Sequence, residues 1–162
     1  MIHLLRIQLS KIVNQYVYFC AMIYLLKKIK HFITSNSRHG THSPFVYALT
    51  DELIYNKNIT RSKSLIEDII DYYNVKGVES SSFLITDFHQ HSLDDLLALQ
   101  DSYFMIFVKN IHQKATHRRI WKSMQEHTDF VVLIDLFEFG IICKRKEQPK
   151  ESFKLRFPYW FY

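Results

Sequence analysis

The sequence predicts an α/β domain built on a mostly parallel sheet, with antiparallel pairing among its last strands. Three observations carry this. Ser82–Thr86 and Tyr103–Val108 are short apolar runs without alternation, the pattern of strands covered on both faces. Segments of helical periodicity lie before and between them. Three further runs, Phe130–Phe137, Gly140–Lys144 and Ser152–Phe157, then follow through short connections, which brings antiparallel pairing into the sheet.

Each element has its own signal. Ser43-Pro44 reads as N-cap and first helical residue, and Val46, Leu49 and Leu53 give the following helix one apolar face, ending near Asn56. A second helix spans about Ser62–Tyr73, with Leu65, Ile66, Ile69, Ile70 and Tyr73 inward and Glu67, Asp68 and Asp71 outward. Ser92 caps a short helix through Leu99, with Asp95 in its acidic first turn. Thr116–His127 is a helix with Ile120, Trp121 and Met124 on its inner face.

The amino-terminal 1–33 reads as a basic, apolar helical segment, and 34–162 as one α/β domain. Ile12–Leu26 carries no charge, and Lys27, Lys28 and Lys30 follow it. The apolar run Tyr16–Leu26 is shorter than the ~20 residues of a spanning helix, and no small-residue cleavage site follows it. An interfacial or partner-docking helix fits, giving a possible membrane contact through residues 1–33. Met22 is a second credible start, which would make 1–21 an upstream extension.

Composition narrows the classes. The chain has 162 residues, 48% of them hydrophobic, with 3 Gly and 3 Pro, which excludes collagen-like and low-complexity readings. Two cysteines, Cys20 and Cys143, form no disulfide framework and fit a reducing, cytoplasmic setting, peripheral to the inner membrane if the helix docks there. The net charge of +5 is uneven: residues 1–50 carry six bases and no acid, whereas 51–101 carry ten acids against four bases. Lys114, Arg118, Arg119 and Lys122, with His112 and His117, make a basic loop and helix face. It suits phosphate, nucleic acid or an acidic protein, or is simply solvated. The aromatic tail containing Tyr159, Trp160 and Phe161 either packs over the sheet or offers a patch to a partner.

One loop concentrates ligand-type side chains. Asp87, His89 and His91 follow the first predicted strand, at the strand end where open α/β sheets bind ligands. They read either as an ordinary polar loop or as three ligands for one divalent metal. Ser43 lacks the glycine-flanked elbow of a nucleophile. Cys143 lies in an apolar strand and reads as a buried, inert thiol.

Two stretches resemble a known family. His39-Gly40-Thr41-His42-Ser43-Pro44-Phe45 matches an H-G-x-H-S-P-F motif. Ile134-Asp135-Leu136-Phe137-Glu138-Phe139-Gly140, followed by Glu147-Gln148-Pro149-Lys150, matches an I-D-L-F-x-x-G turn and an E-Q-x-K tail. Phe107-Val108-Lys109-Asn110-Ile111-His112 is similar to a V-x-D-D-I-H strand end, and Trp121 falls where the family has a tryptophan. Together, over about Met22–Phe157, these resemble class I S-adenosylmethionine-dependent methyltransferase-like proteins common in Bacteroidetes.

The resemblance implies a reduced Rossmann-like fold. Family methyltransferases are longer and carry a glycine loop for the cofactor, because backbone must pass close to the ligand. No G-x-G occurs here, and Lys109-Asn110 replaces the family's Asp-Asp pair. Asp87 could imitate the ribose-binding acid, with His89 beside it, but no glycine loop precedes it. The resemblance therefore implies a degenerate accessory protein without a cofactor, acting with a protein partner or a second copy of itself. The alternative is an active methyltransferase using S-adenosylmethionine in an atypical or composite site.

Overall fold

The computed structural model describes residues 2–36, 43–56, 64–145 and 147–157. The chain forms two compact units, Met1–Thr34 and Ser35–Tyr162. The first is one α-helix, α1 (Ile2–Thr34). No helix among the described residues is long and apolar enough to cross a membrane.

The second unit is α/β, with a five-stranded mixed sheet. It opens with α2 (Pro44–Leu49), which widens into a π-helical turn over Thr50–Ile54. Next comes α3 (Leu65–Val75), capped by the Ser64 side chain, which accepts from the Glu67 N–H. Its end is marked by Gly77 at φ +90, a conformation that disfavours a Cβ. β1 (Phe83–Asp87), α4 (Leu93–Leu99), β2 (Met105–Lys109) and α5 (Ala115–Glu126) alternate, and β3 (Val132–Asp135), β4 (Phe139–Cys143) and β5 (Glu151–Lys154) close the chain. The Ser92 cap of α4 is a full capping box. Accepting from the Ser92 N–H and hydroxyl holds the Asp95 carboxyl below the usual carboxylate range.

The strand order is β1-β2-β4-β3-β5. β1 and β2 pair in parallel, as do β3 and β5. β4 alone runs against its neighbours, slotted between β2 and β3. The expected antiparallel carboxyl-terminal pairing is therefore restricted to β4. β5 takes β3's free edge, because β4 already occupies the other, and it pairs there in parallel. The third and fifth strands are also shorter than the segments expected for them, the apolar Phe130–Phe137 and the alternating Ser152–Phe157. β3 stops at Asp135 because Phe137 turns to φ 69.

Alternation across the strands divides the core in two. Met105, Phe107, Ile134 and Ile141 pack with Val46, Leu49, Ile69 and Tyr73 from the α2 and α3 side. Ile106, Val108, Leu133 and Ile142 pack with Leu96, Trp121 and Met124 from α4 and α5. Helices thus cover both faces, which is why the strands read as continuous apolar runs.

Candidate functional site at the strand carboxyl ends

β1, β2 and β3 point the same way, so the loops after Asp87, Lys109 and Asp135 lie at one end of the sheet. In the first loop, Asp87 Oδ1 accepts from the backbone N–H groups of His89 (2.8 Å) and Gln90 (3.2 Å). Those donors, His89 foremost, hold the carboxyl below its usual range. The His91 Nδ1 lies 2.6 Å from the Thr86 hydroxyl. His89 Nε2 lies 3.1 Å from Lys114 Nζ. An ammonium only donates, so that contact uses the unprotonated nitrogen of His89. The Asp87, His89 and His91 side chains are therefore each directed to a different partner. A cleft of about 640 Å³ opens beside them, lined by Phe88, His89, His91, Asp94, Arg119 and Ile120 among others.

The basic face is less uniform than its sequence suggests. His117 is buried, and its Nδ1 meets the Asn110 carbonyl at 3.0 Å, which requires the proton on that nitrogen. Arg118 donates from Nη1 to the His112 carbonyl at 2.8 Å. Lys122 pairs with Glu126 one turn on, at 3.5 Å. Of the four cations expected on one face, Arg118 is turned inward, Lys114 meets His89, and Arg119 lines the cleft. Helical spacing placed them together; the acceptors left by the β2–α5 loop separated them.

The pair that sequence reasoning missed lies between the second and third strand ends. His112 Nε2 and Asp135 Oδ2 are 2.8 Å apart, with Asp135 buried. The other oxygen, Oδ1, accepts from the Phe137 N–H at 2.9 Å. The His112 ring stacks on Phe137, with centroids 4.9 Å apart and planes 13° from parallel. Phe137 and Asn110 both have positive φ, 69 and 60. For Asn this is tolerable, but for a bulky residue it costs about 1–3 kcal/mol and must be held by its surroundings. Asp135 supplies that hold for Phe137, and the Glu138 carbonyl accepts from the Asn110 N–H at 2.8 Å. A carboxylate-oriented imidazole is also the arrangement that can move a proton. The available signal was a lone acid within the otherwise apolar run Val131–Phe137, because a buried carboxylate requires partners.

The remaining motif residues also meet across the chain. The Ser43 hydroxyl accepts from the Val46 N–H at 3.3 Å and donates to Gln148 Oε1 at 2.8 Å. Pro44 takes the first helical position, and the Arg145 guanidinium lies 4.3 Å above the Phe45 ring. Ser43→Ala removes both the cap and the cross-chain bond. A loss of about 1–2 kcal/mol is expected in denaturant unfolding, and an unchanged midpoint would show that water replaces both contacts. His39, Gly40 and His42, and Tyr159, Trp160 and Phe161 in the tail, lie outside the described residues. Cys143 is buried, which pushes its thiol up to about 12, whereas Cys20 is exposed.

Gly140 faces the indole of Trp121 directly. A Cβ there would stand 2.3 Å from Trp121 Cη2. Comparison with family models, curated proteins and solved structures finds no match to this chain.

Proposed function

We propose that the chain is a catalytically degenerate methyltransferase-like protein with a reduced Rossmann-like domain, serving as an accessory subunit that binds a protein partner. One observation carries this reading: residues of the motifs behind the resemblance are engaged with one another. Ser43 meets Gln148, Phe45 meets Arg145, His112 meets Asp135, and Trp121 meets Gly140. Such pairs fix a scaffold by tying distant segments together. The glycines among the described residues fit the same view. Gly77 follows a helix in a left-handed turn, and Gly140 makes room for an indole. Neither belongs to a phosphate- or cofactor-cradling loop. A mixed sheet in which β4 alone runs against the other strands, with helices on both faces, is compatible with the reduced fold.

The cleft lined by His89 and His91 favours the competing reading, an active methyltransferase with a relocated or composite cofactor site. Titration calorimetry with S-adenosylhomocysteine, up to about millimolar, covers affinities as weak as about −4 kcal/mol. On the accessory reading, folded protein gives no saturable heat at two temperatures. Saturable binding would overturn it, and loss of that binding in His89→Ala or Arg119→Ala, two residues that line the cleft, would assign the ligand to it.

A further inference from the structure

We propose that α1 is a membrane-surface helix that lies in the interface of an anionic bilayer. Phe19, Met22, Leu26, Ile29 and Ile33 recur at alternating spacings of three and four, which keeps them on one face in the carboxyl-terminal half of the helix, whereas the exposed Val13, Tyr16 and Val17 before them lie on other sides. All five are exposed, with Leu26 at 58% and Ile33 at 70%. Tyr18, 75% exposed, flanks this stripe, and a ring with an apolar body and a polar tip suits the headgroup level.

Charge selects the occupant of this face. Every ionised side chain on α1 is basic: Arg6, Lys11, Lys27, Lys28 and Lys30, with no acid over the whole helix. Lys27 and Lys28 fall on the side opposite the stripe, and Lys30 falls at its flank. Two copies packed along this face would bring cation to cation, whereas helix–helix seams are normally flanked by opposite charges. An anionic lipid surface supplies the sign that the α1 sequence itself does not carry. The geometry also fits, since 33 residues extend about 50 Å and the helix is not apolar enough to cross.

The test is flotation of the full chain with vesicles of phosphatidylcholine alone or mixed with phosphatidylglycerol. The chain should rise with the mixed vesicles only, and less so at high salt. Lys27→Gln with Lys30→Gln should weaken partitioning about fivefold for each lysine. Leu26→Ser with Ile29→Ser should abolish it. Failure to float with either vesicle, or equal flotation with both and no response to the lysine changes, overturns the proposal. So does a dimer in solution that the serine changes convert to monomer while flotation is absent, which would place a second copy on the stripe. The lysine variants keep the apolar face intact, so they report even if the serine variants fold poorly.

Discussion

Gly140→Ala will destabilise the fold by about 3 kcal/mol, lowering the thermal midpoint by about 10 °C. The new Cβ would stand 2.3, 2.6 and 2.7 Å from three carbons of the Trp121 ring. These are far inside van der Waals contact, and the opposing atoms belong to a rigid ring. Trp121 is 2% exposed and packs in the cluster holding Leu96, Val108, Met124 and Phe130, so the indole has nowhere to retreat. Backbone retreat is also restricted, because Gly140 sits in β4 between Val108 of β2 and Asp135 of β3. A double-mutant cycle isolates the cause. Trp121→Phe alone opens a cavity and destabilises, but in the alanine background it relieves the clash. The two changes together should therefore cost less than their sum, by about 1–2 kcal/mol. Strict additivity would mean that the strain lies elsewhere than at the indole.

Asp135→Ala is expected to cost about 3–4 kcal/mol in denaturant unfolding. The side chain meets His112 Nε2 at 2.8 Å and the Phe137 N–H at 2.9 Å. Truncation leaves a buried N–H without its Asp135 acceptor, worth about 1–3 kcal/mol, and removes the carboxylate contact to the imidazole. It also releases a bulky residue held at φ 69. Asp135→Asn keeps an oxygen for the Phe137 N–H and should lose about half as much. If both substitutions cost the same, the charge on the His112 contact dominates. If neither costs more than about 0.5 kcal/mol, the turn is held by packing alone and the scaffold role assigned to this pair fails.

These two predictions concern positions whose importance depends on neighbours distant in sequence. Gly140 and Trp121 are both legible as unusual residues, but nothing in their spacing says that one makes room for the other. His112 reads as part of a basic loop and Asp135 as the end of a strand. The sheet order puts β4 between β2 and β3, and only then do the two strand ends face one another across a hydrogen bond. The basic residues are divided among different partners for a related reason. Helical spacing fixes the angle at which Arg118 leaves α5, but not the carbonyl of His112 that it finds.

What the sequence determined by itself was local. Apolar runs covered on both faces placed β1 to β4, and Ser43 and Ser92 marked helix starts because their side chains satisfy N–H groups a few residues away. The α/β class and the helices on both faces of the sheet followed from the same periodicities. The tertiary structure decided the order of the strands, the parallel return of β5, the left-handed turn at Phe137 and the His112–Asp135 pair. Each of these depends on which edge is already occupied or which buried polar group lacks a partner. Those are properties of the assembled sheet, and no window of a few residues contains them.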